Sequence, residues 1–533
     1  MPNPSLSVLL ETEGTYPYAG GGVSTWCHTL CDQLRDVDFT LLAVTGQPAS
    51  ASRYPLPPNV RQVHPMPLWG HSEPSVASRP GVPFSTVYRS RLRTTPAVVA
   101  EEFLPPFEQV LRTLIHPEHT TRADGRALHR LHRFFQTYDY KQAFRDQGTW
   151  DCFERIVLAE ADRLGDAPTL VDAATCLRWL YHFFLPLDSP LPRTDLTHTT
   201  AAGTCGLASI VAHWEHGTPM LVTDHGVYLR ERYLAVSETP LPFVQKWFLT
   251  RLSQYISRLC YATAAVVAPV CNYNRRWEER LGTDPAKIRT IYNGISTDDF
   301  RPAPKPAATA DRPTVVAAAH VYPLKDIETM IRSCAVARQS VPDVQYRVYG
   351  ALDLNPEYVA RCRTLISQLD LTDHVLLQGV HDTPTRLYHE GDLSILSSIS
   401  EGFPYAVLES MACERPVVAT DVGGVSEAVG DGGLVVPPRN ATALGTGVAT
   451  LLTDADRRLD MARRARRRVL DTFRLNDAMT QYRTLYDELA SAESPERAVR
   501  PTALHGSARL AAPLSPSHSS SITLDESLLR SSY

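Results

Sequence analysis

Cysteine is scarce in this chain, with ten in 533 residues and no dense pairing. A small disulfide framework is excluded, and the thiols read as reduced. Cys27 and Cys31 stand one helical turn apart, but no second pair at zinc-finger spacing accompanies them, so no metal centre is expected. No apolar run approaches membrane-spanning length, and residues 1–10 lack a basic segment followed by an apolar one. A cytoplasmic location without a transmembrane segment is the expectation. Nor is there an excess of positive charge: 53 lysines and arginines face 58 acidic residues, for a net charge of −5. Nucleic acid is therefore not an expected partner. Also missing are the Gly-x4-Gly-Lys-Ser/Thr loop of ATPases and the His-Glu-x2-His of zinc peptidases.

What remains is a globular composition, 43% apolar and 21% charged, in a chain long enough for two or three cores. Residues 6–10 read as a buried strand, 14–22 as a glycine-rich turn, 23–34 as a helix and 39–44 as a second strand, the opening of a parallel α/β sheet. A Pro-rich irregular stretch follows from 47 to about 95, then helical patterns to 186, so that 47–190 reads as an insertion in a first domain of residues 1–300. Strands at 220–223, 264–268 and 288–292 resume the alternation. The prolines of 301–313 mark a linker. A second doubly wound domain spans 314–474, with strands at 314–319, 344–349, 374–378, 393–396 and 417–420. A closing helix fills 475–492, and the Ser-, Ala- and Pro-rich 493–533 reads as a disordered tail. Two such sheets are expected to face one another across a cleft suited to a diphosphate.

Four segments carry candidate chemistry. The strongest is Ser400-Glu401-Gly402-Phe403-Pro404-Tyr405-Ala406-Val407-Leu408-Glu409, between two predicted strands. Pro404 suits a first helical position, which leaves Glu401 in the loop and Glu409 inside the helix. Carboxylates there can accept from sugar hydroxyls, although two glutamates at this spacing also fit an ordinary charged helix. The second segment is the run Glu13-Gly14-Thr15-Tyr16-Pro17-Tyr18 with Gly20-Gly21-Gly22, either a phosphate-approaching loop or a tight turn. In the third, Thr223-Asp224-His225-Gly226, His225 follows a strand and can donate to a hydroxyl or share a proton. The fourth ends in Lys325, at the first strand-to-helix turn of the second domain, where an ammonium would stabilise a departing diphosphate. An arginine run, Arg463, Arg464, Arg466, Arg467 and Arg468, reads as a solvated helix face or a contact for an anionic membrane.

The Glu401-to-Glu409 segment, with Asp421-Val422-Gly423-Gly424 after it, resembles the Glu-x7-Glu motif of the family 4 (group 1) retaining glycosyltransferases, most of all the Pel polysaccharide branch. The resemblance runs through residues 5–490 and implies a GT-B fold: two Rossmann-like domains, no obligatory metal and no cofactor beyond a nucleotide-sugar substrate. By resemblance Glu401 contacts the donor sugar and Glu409 the ribose; His225 and Lys325 join Glu401 in catalysis. Gly21, Gly22, Asn293, His320, Lys325, Gly402, Phe403 and Pro404 line the donor site. UDP-glucose is the donor it suggests and a saccharide the acceptor, with a membrane polysaccharide-synthesis complex as partner and peripheral contact at the inner membrane face. A catalytically weak sugar-nucleotide-binding subunit is the alternative. Ala319 and His320 stand where relatives carry glycine and arginine, Ser296 where they carry an acid, and Glu414 where they carry glycine. A metal-dependent transferase would need Asp-x-Asp at a strand end, whereas Asp36/Asp38 and Asp454/Asp456 lie elsewhere.

Overall fold

The computed structural model describes residues 5–48, 51–70, 81–381 and 383–492. The expected tail from 493 and part of the Pro-rich stretch, 71–80, lie outside them. By contacts, the described residues of Met1–Pro269, Arg276–Arg289 and Arg483–Tyr533 form one unit, and Val270–Arg275 with Thr290–Tyr482 the other.

Among the described residues, the first unit holds a six-stranded sheet in the order β3-β2-β1-β4-β5-β6. Its strands are β1 (Leu6–Glu13), β2 (Val37–Thr45), β3 (Val60–Pro67), β4 (Leu196–Thr199), β5 (Met220–Asp224) and β6 (Val266–Pro269), all parallel. The second unit repeats the design as β12-β11-β10-β7-β8-β9, from β7 (Thr314–Ala318), β8 (Gln345–Tyr349), β9 (Val375–Gly379), β10 (Leu393–Leu396), β11 (Val417–Thr420) and β12 (Gly433–Val436). Both are doubly wound orders whose direction reverses once, between β1 and β4 and between β7 and β10. Loops at the carboxyl ends of those strand pairs diverge there and leave a crevice in each unit.

The apolar runs became strands because a parallel sheet is covered on both faces and needs unbroken Val, Ile and Leu. Three strands escaped that criterion. β3 lies inside the stretch expected to be irregular; Pro65 and Pro67 fit because it is an edge strand, where a missing N–H costs no ladder bond. β4 reads Leu-Thr-His-Thr yet is fully buried, with His198 and Thr199 hydrogen-bonded inside the unit. β12 is a four-residue edge. Conversely, 288–292 is no strand and contributes only an isolated bridge from Ile288 to Val267.

The helical insertion is present, running from Phe84 to Phe183, and owes its cohesion to aromatic packing. Phe103 stacks on Phe107 at 5.0 Å and sits near Phe134 and Phe135, all buried. The Pro-rich stretch after Arg301 is not a free tether. Lys305 pairs with Asp392 at 2.7 Å, Arg415 donates to the Ala303 carbonyl, and Arg312 donates to the Asp343 and Asp373 carbonyls. The arginine run is likewise mostly engaged. Arg466 donates to the carbonyls of Phe300, Ala412 and Thr297, Arg468 to those of Ala428 and Glu427, and Arg464 faces Asp460. Arg466 and Arg468 thus clamp loop carbonyls, while Arg463 and Arg467 remain exposed as a solvated face. All ten cysteines are free and buried.

Candidate functional site

In the second unit the chemistry collects where the sheet order reverses. After β7 the chain makes a short 3-10 turn, Pro323–Lys325, and then Asp326 takes a left-handed conformation (φ 46°) as N-cap of the helix Ile327–Arg338, accepting from the Thr329 N–H. That strained residue fixes where Lys325 points. Its ammonium meets Glu401 Oε1 at 2.6 Å, and Ser398 Oγ donates to the same oxygen at 2.6 Å. Ser397 Oγ grips the Lys325 carbonyl at 2.7 Å, and Ile399 N–H donates to the Leu324 carbonyl. The β7 and β10 loops are thus laced together, and two residues 76 positions apart become direct partners. Lys325 keeps donors beyond the one spent on Glu401. The serines were not anticipated; their signal was a pair of hydroxyls directly after an apolar strand.

The rest of the motif is built around this pair. The helix Tyr405–Ala412 has Pro404 as N-cap, one position earlier than the first helical turn expected for it, with no side chain capping that end. Gly402 gives its carbonyl to the Gly424 N–H at 2.7 Å. Gly423 (φ 57°) lies so close to the Glu401 carbonyl that a Cβ would meet it at 1.8 Å. Gly423→Ala is therefore expected to lower stability by about 2–4 kcal/mol, from left-handed strain plus the clash. Because the group struck is the Glu401 backbone, nucleotide affinity should fall with it; a normal unfolding midpoint together with normal affinity would refute that account. Phe403 is a core aromatic between Tyr292 and Phe473, and its carbonyl accepts from Asn293 Nδ2 at 3.3 Å. Both residues brace the loop from behind. Glu414, where relatives carry glycine, adopts φ 55°, so the backbone there is one glycine suits better, at a cost of about 1 kcal/mol.

Glu409 lies one helix face further in. Tyr388 donates to its Oε2 at 2.6 Å, and burial pushes the carboxyl above its usual range. At the other edge, His320 Nδ1 accepts the Ala351 N–H at 3.0 Å, which leaves the ring proton on Nε2. That bond exists because Gly350 passes the β7 loop closely; a Cβ on it would meet the Ala319 carbonyl at 2.1 Å. His320 thus carries a single ring N–H where an arginine would present a fork.

The first unit carries the other predicted residues. Gly21 (φ 132°, open space around its α-carbon) is the N-cap of the helix Gly22–Gln33, and Gly22 its first residue. That helix brings Trp26 against His225, with ring centroids 4.5 Å apart. His225 Nε2 is buried and has no hydrogen-bond partner. Burial lowers the imidazole to about 3, which favours the hydroxyl-donating of the two roles expected for it over the proton-sharing one. His198, which sequence reading passed over, flanks Trp26 on another side (5.6 Å) and is held by Tyr486 at 2.6 Å and Thr223 at 2.8 Å. Asp224 serves structure: Tyr261 and the Ala202 N–H donate to it, and burial raises its pKa. Glu13 is likewise locked, by Arg232 and Tyr228 at 3.0 Å each. Lys325, Glu401, Glu409, His320, Asn293 and Gly402 to Pro404 share one unit, His225, Gly21 and Gly22 the other.

A pair of doubly wound six-stranded parallel sheets is the GT-B architecture of known glycosyltransferases. Residues 300–468 match the family described as Glycosyl transferases group 1, and residues 6–286 match the one described as Domain of unknown function (DUF3492). The chain belongs to the DUF3492 family, with a group 1 glycosyl transferase domain as its second part. It is similar to a D-inositol 3-phosphate glycosyltransferase of Thermobispora bispora, 28% identical over 257 residues, 45% of this chain and 58% of that protein. It is also similar to an alpha-D-kanosaminyltransferase of Streptomyces kanamyceticus, 27% identical across 51% of this chain and 71% of the relative. The chain thus spans less than two thirds of the first relative's length. Among solved structures, sucrose-phosphate synthase of Thermosynechococcus elongatus superposes with a TM-score of 0.58 at 17% identity, over 92% of this chain and 100% of that one. HepE of Anabaena, in complex with UDP-glucose, superposes with a TM-score of 0.56 at 15% identity, over 90% and 99%. Among the described residues, no helix is long and apolar enough to cross a membrane.

Proposed function

We propose that the protein is a retaining, metal-independent glycosyltransferase of the Pel-type branch, transferring a hexose from a UDP-sugar to a saccharide acceptor. The observation that carries the reading is the Lys325–Glu401 pair at the β7/β10 switch point, beside a helix start with no side-chain cap. An ammonium, a carboxylate and backbone N–H groups suit the diphosphate and hydroxyls of one sugar nucleotide. In the proposed step the acceptor oxygen bonds to the anomeric carbon on the face from which the diphosphate leaves. The acceptor's proton passes to the departing phosphate oxygen, and Lys325 offsets the charge that builds there. UDP-glucose is the donor to try first, since HepE is seen with it. Incubation with UDP-hexoses and a panel of oligosaccharides should release UDP, give a product of unchanged anomeric configuration, and persist in EDTA. Inverted product, or activity abolished by EDTA, would overturn the respective part.

Glu409 is assigned to the ribose. Glu409→Gln keeps the Tyr388 bond but exchanges a charged acceptor for a neutral one, and UDP affinity measured by calorimetry should fall about tenfold. Unchanged affinity would remove Glu409 from the site. A second reading, a catalytically weak sugar-nucleotide-binding subunit of a polysaccharide-synthesis assembly, draws support from His320, whose Nδ1 is committed to Ala351. It predicts UDP binding without turnover for any donor.

A further inference from the structure

The helix Phe84–Arg93, at the start of the insertion, buries none of its residues. It is tethered mainly just beyond its carboxyl end, where Thr94 is buried and its Oγ1 accepts the Asp139 N–H at 2.8 Å. Ser90 is the one residue within it that is even half-buried. At 100° per residue, Phe84, Val87, Tyr88, Arg91 and Leu92 fall within an arc of about 140°. Four of these are large apolar side chains facing solvent; Phe84 is 81% exposed and Leu92 64%. Phe84 and Tyr88 stack at 6.0 Å, so the apolar face is already ordered without a partner.

The charges within this helix are of one sign, Arg91 inside the apolar arc and Arg89 flanking it. Residues 81–100 contain Arg89, Arg91 and Arg93 and no aspartate or glutamate, in a chain whose net charge is −5. A second copy of the chain fits poorly, because a two-fold contact through this face sets Arg91 against its own copy inside an apolar seam. A bilayer surface with anionic headgroups has neither fault: it accepts Phe, Leu and Tyr at the headgroup–acyl boundary while arginine stems rise to the phosphates.

We propose that Phe84–Arg93 is an interfacial helix that docks the protein on anionic lipid, with Phe84, Tyr88 and Leu92 inserted and Arg89 and Arg91 on the headgroups. This site stands whether or not the transfer reading holds, since its test reads partitioning and not turnover. The full chain is sedimented with phosphatidylcholine vesicles containing or lacking phosphatidylglycerol. Binding is expected only with phosphatidylglycerol, weakened by added sodium chloride. F84S/L92S should weaken it roughly 30-fold. R89E/R91E should weaken it at least as much, each arginine being worth roughly fivefold near an anionic surface. All four side chains are exposed, so the unfolding midpoint should not move. No sedimentation with phosphatidylglycerol, equal sedimentation with neutral vesicles, or binding that survives both double variants would overturn the proposal. So would a dimer that F84S/L92S dissolves, because the face would then belong to a second copy.

Discussion

Lys325→Ala is expected to lower kcat by about two to three orders of magnitude while leaving the unfolding midpoint nearly unchanged. The two halves of that expectation come from different features of one contact. The ion pair with Glu401 is partly buried, its side chains 28% and 11% accessible, but its lysine end reaches solvent, and its contribution to folding is about 1 kcal/mol. Glu401 retains its bond from Ser398 when the lysine is removed, so no buried carboxylate is stranded. In the proposed transfer, turnover depends on the ammonium in another way, since charge would appear on the departing diphosphate as its bond to the anomeric carbon breaks. A cation already held in place meets that charge without reorganisation. Release of UDP from UDP-glucose, followed at saturating donor, is the measurement. Near-normal turnover would remove Lys325 from the reaction, and a large drop in the midpoint would recast it as a structural residue.

The largest effect on stability is expected at the opposite end of the chain. Glu11, on β1, is fully buried, and Ser209 donates to one of its oxygens at 2.5 Å while the other has no partner. Burial pushes its pKa from 4.5 to about 8. A carboxyl raised in the folded state keeps its proton after the unfolded chain has lost it. Stability should therefore fall as pH rises between about 4.5 and about 8, by about 1.4 kcal/mol per pH unit and about 5 kcal/mol over the whole window, and level off above it. Glu11→Gln removes the titration and leaves an uncharged amide with an unmet donor, which costs about 1–3 kcal/mol. The variant should be less stable than the natural protein near pH 5 and more stable near pH 8, as read from urea midpoints. Parallel pH profiles for the two proteins would show that Glu11 does not hold its proton.

Strand positions in the second unit were nearly all readable, because five of its strands are short apolar runs bounded by turn residues, and periodicity reports burial on both sheet faces. The segments that were missed share a physical cause. β4 is polar in sequence, and only the pairing of His198 with Thr223 and Tyr486 makes its burial tolerable. β3 carries prolines that are acceptable only at an edge, and edge status belongs to the sheet rather than to the strand. The arginine run shows the same limit. Of five like charges on one helix, Arg463 and Arg467 stay exposed, whereas Arg466 and Arg468 are drawn in by loops that supply carbonyls from elsewhere.

The candidate site divides along the same line. Residue types and local geometry were determined by the sequence alone: a loop glutamate, a helical glutamate, a lysine after a first strand and glycines where backbone must turn are properties of short segments. Only the tertiary structure decided partnership. It joined Lys325 to Glu401 across 76 residues, withdrew one nitrogen of His320 to Ala351, set Asn293 and Phe403 to bracing, and packed His225 against Trp26, where burial lowers its pKa. Hydrogen-bond partners and desolvation depend on which distant segments arrive at the same place, and no local pattern encodes that.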